Sequence, residues 1–221
     1  MTCSMWPLWS NAGWQAHCKD RRIPMLEFWY DYASPYSWLA SVLIRRHRIP
    51  VEYRPVYIRG LPTFSKGVPF SPAKLRYMMR DLERLAGRYN LPWRAPATFP
   101  VNGLYLLRLD LGLSGTQYFD AFHAAAFRAV WSEAQQVDTA EHAARVAAQA
   151  GVPAELAQQI LQDDAIKARL RSETEAAVER GIFGLPTFVV NDELFWGHDR
   201  LSDALRWAGV AMTPDLARDL C

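Results

Sequence analysis

The chain has 221 residues, 50% hydrophobic and 22% charged, a balance that fits one globular domain with an insertion or two small domains. Lys and Arg number 25 against 23 Asp and Glu, a formal charge of +2 with no long basic run, which argues against nucleic acid or an anionic membrane as partner. No apolar stretch approaches the ~20 residues of a membrane span.

The three cysteines, Cys3, Cys18 and Cys221, all lie at the ends. An odd, terminal set is no disulfide framework. With no C-x-x-C and no Cys/His cluster, neither a dithiol redox site nor a metal site is expected, and a reducing, cytoplasmic location fits. Residues 1–24 lack the apolar core of a secretory signal, because Pro7, Ser10, Asn11, Gln15 and His17 interrupt it. They carry Trp6, Trp9 and Trp14 without a period, as in an extension packed on the surface. Alternatively, the natural protein begins at Met25.

Residues 26–32 form an apolar strand that runs into Ser34, Pro35 and an amphipathic helix over 36–46. Serine followed by proline has the residue types of an N-cap and a first helical position, since proline lacks the N–H that would be unpaired there. A hydroxyl at this junction lies where helix N–H groups favour an anion. Where redox proteins of thioredoxin type keep a reactive cysteine, this chain has serine. Either Ser34 only caps the helix, or a thiolate held there comes from a ligand. Residues 51–57 read as a second strand, at an edge or ending early because of Pro55. The strand-helix-strand unit implies a parallel pair with a right-handed crossover.

Residues 59–71, rich in Gly, Pro and Ser, read as an exposed loop. Ser71-Pro72 then repeats the cap signature ahead of Leu75, Met78, Met79, Leu82, Ala86 and Tyr89 at helical spacing. After the proline-rich segment 91–100, helical patterns cover 103–111, 116–131, 139–150 and 154–161. A long helix over 164–180 stops at Gly181. Residues 187–190 form a strand, Asn191-Asp192 a turn, and 194–196 the return of a hairpin. Asp199 is expected to start the last helix, to about Trp207, with a weakly defined tail. The order is that of an α/β thioredoxin-like fold with an inserted all-helical domain. The expected parts are an N-terminal extension at 1–24, a thioredoxin-like domain in two segments (25–64 and 165–210), a helical domain at 65–164 and a tail at 211–221.

Two further stretches carry chemistry. Pro186, just before a strand, suits either a cis peptide bond beside the first helix or an ordinary trans start. In the cis arrangement the N–H and C=O of Leu185 face a ligand, and an extended peptide can pair with them. Asp199 is either an N-cap or the acceptor of a peptide's α-amino group, and His198 a donor to a ligand carboxylate or an inert surface residue.

Taken together, Asp31–Ala40 (DYASPYSWLA), Ser71–Arg84 (SPAKLRYMMRDLER), Asn90–Pro92 (NLP), Phe99–Asn102 (FPVN), Phe127–Trp131 (FRAVW) and the GIFGLPTFVV and LFWGHDRL segments within 181–201 resemble the 2-hydroxychromene-2-carboxylate isomerase family. That family is grouped with kappa-class glutathione transferases on a DsbA-like fold. The resemblance runs from about Met25 to Trp207. It implies glutathione as cofactor and a small aromatic or electrophilic substrate, in a cytoplasmic homodimer. Ser34 matches the serine whose hydroxyl bonds the glutathione sulfur, Leu185 the residue whose main chain pairs with the tripeptide, and Pro186 the cis proline. His198 and Asp199 match the pair at the γ-glutamyl end, and Lys74 and Asn102 match positions lining the active-site region. His198 stands where the family commonly has Asn or Gln. In the loop 61–68 only Lys66 and Gly67 remain of the family's lysine and Gly-Asn pair, which bears on substrate choice. The chemistry implied is isomerisation about a double bond through a thiol nucleophile, or conjugation if the adduct departs as product. A third reading is a glutathione-binding module without turnover. Serine at both Ser34 and Ser37 disfavours disulfide exchange.

Overall fold

The structure, a computed structural model, describes residues 25–220. The extension at 1–24 and all three cysteines lie outside the described residues. Strand β1 (Leu26–Tyr30) sits inside a four-stranded sheet, parallel to β2 (Glu52–Pro55), with Phe28 opposite Tyr53. Between them runs α1 (Pro35–Arg46), which supplies the crossover. Strand β2 is an edge and ends at Pro55, shorter than the expected 51–57, because proline cannot extend the ladder.

The chain then enters the helical block: α2 (Pro72–Arg88), α3 (Leu104–Leu113), α4 (Phe119–Trp131), α5 (Ala140–Gln149) and α6 (Ala154–Gln162). Three starts along this stretch are capped by the expected chemistry. Ser71 accepts from the Lys74 N–H, Thr139 from His142, and Asp163 from Ala165 at the head of α7 (Asp164–Glu179). Gly181 follows at φ 78°, the left-handed conformation that a helix end favours in glycine. Strands β3 (Thr187–Val190) and β4 (Glu193–Trp196) form the expected hairpin, β3 lying antiparallel to β1.

Two departures occur at the C-terminal end. Asp199 does not start a helix: residues His198–Arg200 make one 3-10 turn, and α8 (Leu201–Trp207) begins after it without a side-chain cap. The tail carries a helix, α9 (Pro214–Leu220), started by Thr213, whose hydroxyl accepts from the Leu216 N–H.

Alternation along β1 divides the core. Leu26, Phe28 and Tyr30 point into the large cluster shared with α1, α3, α4 and α8, whereas Trp29 points to the other face, against Val56, Leu61, Ala177 and Val189. The large cluster runs without a break from the sheet into the inserted helices. The sheet ends carrying Tyr30 and Thr187 therefore point at the junction where α1 begins.

Candidate active site

Ser34 has extended backbone (φ −96°, ψ 115°) while Pro35 starts α1, so the hydroxyl folds back onto the first turn and accepts from the Ser37 N–H at 3.2 Å. It is also a donor: Ser34 Oγ gives its proton to the Leu185 carbonyl at 2.9 Å. Only 4% of Ser34 is exposed. The Leu185–Pro186 peptide is cis, and Pro186 O accepts from Gly197 N. The expected ligand-facing pair at Leu185 is thus half engaged by the protein itself. Its carbonyl is taken by Ser34, while its N–H has no acceptor among the described residues.

Beneath Ser34 lies Asp31, fully buried, with one carboxylate oxygen accepting from the Ala33 N–H (2.9 Å) and the other from the Ile58 N–H (2.7 Å). Burial raises its carboxyl from 3.8 to about 6, against the backbone bonds and the Arg59 guanidinium, which favour the ionised form. Gly103 packs directly on it, since a Cβ there would stand 3.1 Å from Asp31 Oδ1. Asp31 therefore ties the strand-helix junction to the segment after β2.

That segment is the largest surprise. The stretch expected as an exposed loop makes two 3-10 turns, Ile58–Gly60 and Pro62–Phe64, around a fully buried Leu61. It then forms one wall of a cavity of about 490 Å³ whose floor is Ser34 and Leu185. Phe64, Val68, Phe70 and Phe99 make that wall apolar. Tyr77 and Met78 of α2 and Trp196 of β4 also line it. The indole nitrogen of Trp196 lies close against Gly184, where a Cβ would come within 2.6 Å of it, an approach that glycine permits without displacing the ring.

Of the residues expected at the site, Ser34, Leu185 and Lys74 line this cavity. Lys74 Nζ lies 4.3 Å from the centre of the Phe70 ring. His198 is one layer behind, stacked on the cavity-lining Tyr36 with ring centres 5.2 Å apart. Burial lowers its imidazole below 6.5, although Asp199 and Asp81 oppose this, so the ring is neutral at neutral pH. Asp199 is exposed and caps nothing; its carboxylate contacts Arg200 at 3.3 Å and bends over Gly197, whose φ of 113° suits glycine. Asn102 is not on the cavity wall: its amide oxygen accepts from Tyr57 Oη and the Leu104 N–H, both at 3.4 Å. Sequence reasoning missed Asp31, Arg59 and the aromatic wall. The available signal was the recurrence of Phe64, Val68 and Phe70 in a segment otherwise read as loop.

A buried hydroxyl at a helix start, a free main-chain donor beside it and an apolar cavity above suit an extended thiol peptide and a flat apolar reactant. Among the described residues no cluster of His, Cys, Asp and Glu fits a metal ion.

The family model described as a DSBA-like thioredoxin domain matches residues 25–206. The 2-hydroxychromene-2-carboxylate isomerase of Sphingobium xenophagum is 31% identical over 188 residues, covering 80% of this chain and 93% of that protein. Glutathione S-transferase kappa 1 of Homo sapiens is 30% identical over 200 residues, covering 80% of this chain and 87% of that protein. A solved structure of a 2-hydroxychromene-2-carboxylate isomerase aligns with a TM-score of 0.72 at 29% identity, over 84% of this chain and 94% of that one. The chain therefore belongs to the DSBA-like thioredoxin domain family and, within it, to the 2-hydroxychromene-2-carboxylate isomerase family of enzymes.

Proposed function

We propose that the protein is a glutathione-dependent isomerase of aromatic catabolites similar to 2-hydroxychromene-2-carboxylate. The observation that carries this reading is the Ser34 hydroxyl, buried at the α1 N-terminus and shared with the Leu185 carbonyl on the cavity floor. The residues present fit the tripeptide: the orphan N–H of Leu185 offers it a main-chain donor, and Asp199, exposed and paired among the described residues only with the exposed Arg200, offers a carboxylate to an amino group. Lys74 would meet a carboxylate. When bound, glutathione supplies a nucleophilic thiol sulfur, the chemistry needed for isomerisation about an activated double bond.

What the chain itself does follows from Ser34. Its hydroxyl has one proton, and in this structure that proton goes to Leu185 O. A peptide N–H donated to the same carbonyl would compete for it, and the Ser34 proton would then be free to turn toward the cavity. There it joins the α1 N-terminus in favouring a thiolate over a thiol. Neutral His198 keeps its stack on Tyr36, and the apolar wall excludes water from the reactant.

Glutathione S-transferase kappa 1 of Homo sapiens is also 30% identical to this chain, so conjugation of electrophiles stands as the second reading. The three cysteines, an odd set near the ends of the sequence, suit a cytoplasmic setting, and among the described residues no helix is long and apolar enough to cross a membrane.

The test is calorimetry with glutathione and S-methylglutathione, together with thiolate ultraviolet absorbance against pH. Glutathione should bind and ionise at a pH below that of free thiol. In Ser34→Ala the ionisation should move back up and turnover should fall about 10²-fold or more, the usual cost of losing one donor to developing charge. Ser34→Thr, which keeps a hydroxyl, should retain part of both. Unchanged thiolate absorbance in Ser34→Ala removes Ser34 from the chemistry, and no glutathione binding by the parent chain overturns the reading.

A further inference from the structure

The cavity carries two cations and no anion. Arg59 and Lys74 are the charged side chains on its wall, and among the described residues neither makes an ion pair. Lys74 rests over the Phe70 ring, and Arg59 Nη2 donates to the Pro100 carbonyl at 3.3 Å. The buried acid on this side, Asp31, has each carboxylate oxygen occupied by a backbone N–H. It therefore balances part of the Arg59 charge without using the guanidinium fork. With the Pro100 carbonyl and the Tyr57 phenol engaging it, part of that fork's five N–H groups remains unmatched at the edge of a surface built from Ile58, Phe64, Phe70 and Phe99.

The two cations differ in kind and in place. Lys74, in the first turn of α2, is a mobile point charge on the inserted helices. Arg59 is planar and follows Ile58, whose N–H bonds Asp31 only three residues before Ser34. Its position is thus fixed to the reacting junction and not to the inserted helices. A planar fork matches a carboxylate bidentately, and an apolar slot beside it matches a flat ring.

We propose that Arg59 is a specificity-determining residue that takes the carboxylate of an aromatic acid while the ring lies against the apolar wall. This builds on the isomerase reading above by assigning substrate selection to a residue outside the glutathione-pairing surface. It separates acidic substrates from the neutral electrophiles that a conjugating enzyme would accept.

The probes are coumarin-3-carboxylate and its neutral isostere coumarin-3-carboxamide, titrated into the full chain with and without glutathione. The parent should prefer the acid by at least about tenfold, the scale of one partly exposed charge-assisted pair. Arg59→Met should reduce the ratio to within about twofold, with glutathione affinity unchanged, and Arg59→Lys should keep an intermediate preference. Because Arg59 is exposed, far-ultraviolet dichroism of the variants should match the parent. An acid preference that survives Arg59→Met overturns the proposal. So does a loss of glutathione affinity in that variant, which would give Arg59 to the cofactor. If the parent prefers the acid but binds no glutathione, the isomerase reading fails while the role of Arg59 stands.

Discussion

At the residue scale, Asp31 shows how one side chain can serve position and chemistry together. Its carboxylate holds two loops by their N–H groups, yet burial makes ionisation costly enough to raise its pKa from 3.8 to about 6. The sign of the linkage follows. Between those values the folded chain keeps a proton that the unfolded chain has released, so the contribution of Asp31 to stability is fully present below 3.8 and is lost as pH rises through about 6. Paired surface acids such as Asp164 and Asp219 are shifted down and act in the opposite direction, so a pH profile of the parent alone mixes the two. Asp31→Asn isolates the buried group. It also sets an amide N–H against a backbone N–H, which lowers stability at every pH. The difference in stability, Asp31→Asn minus parent, should rise by roughly 2–3 kcal/mol between about pH 4 and about pH 7, at 1.36 kcal/mol per unit. Urea unfolding across that range measures it, and a flat difference would show that Asp31 ionises as an ordinary carboxyl. Ser34 has the same double character, as helix cap and donor to Leu185, and only the first of these roles is readable from Ser-Pro in the sequence.

At the scale of elements, the inserted helices pack by close approach. Gly112, inside α3, has no room for a side chain: a Cβ there would meet Ile160 Cγ2 at 2.4 Å and Cγ1 at 2.7 Å. Replacing Gly by Ala in a helix normally gains about 1 kcal/mol. Here the contacted atoms branch next to the backbone of a buried residue, and overpacking of this kind costs about 1–3 kcal/mol. Gly112→Ala should therefore destabilise, and the same change in an Ile160→Ala background should stabilise, a reversal that a double-mutant cycle by denaturant unfolding would display. Equal effects in both backgrounds would mean that α3 and α6 are not in contact at this point. The elements legible in the sequence were those whose ends carry local chemistry, such as Ser34-Pro35, Ser71-Pro72 and Gly181. The tail helix had the same kind of start in Thr213-Pro214 but too short an apolar pattern behind it, with Leu216 its buried anchor. Asp199 misled because a cap-type residue is not a cap when Gly197 turns the chain into a 3-10 turn first. The segment 59–71 misled because Gly and Pro spacing marks the absence of regular structure and says nothing of burial, so Leu61 and the aromatic wall were hidden in it.

For the whole molecule, the central question is whether the helices between the two sheet segments form a unit of their own. The joint is a buried polar knot. Asp110 of α3 accepts from Tyr30 Oη of β1 and Tyr32 Oη, and contacts His123 Nδ1 of α4 at 3.1 Å. The other ring nitrogen of His123 lies 2.9 Å from Ser41 Oγ of α1. All these side chains are buried, and both tyrosine hydroxyls are held well above their usual pKa by burial and by Asp110. A second joint stacks Trp38 of α1, Trp93 and Trp131 of α4, with successive ring centres 5.9 Å apart, and ties Trp131 Nε1 to the Tyr32 carbonyl at 2.9 Å. Neither joint can be opened without stranding buried donors and acceptors on both sides. We propose, accordingly, that residues 65–164 are an insertion by chain order and not a separate folding unit. Unfolding followed by tryptophan fluorescence and by far-ultraviolet dichroism should then coincide in one transition. Asp110→Ala leaves two buried tyrosine hydroxyls without their acceptor, at about 1–3 kcal/mol each, and should lower stability by about 2–5 kcal/mol without splitting that transition. Two transitions in the parent chain, with the helical signal outlasting the tryptophan signal, would mean that the block stands alone and that the knot serves only to dock it.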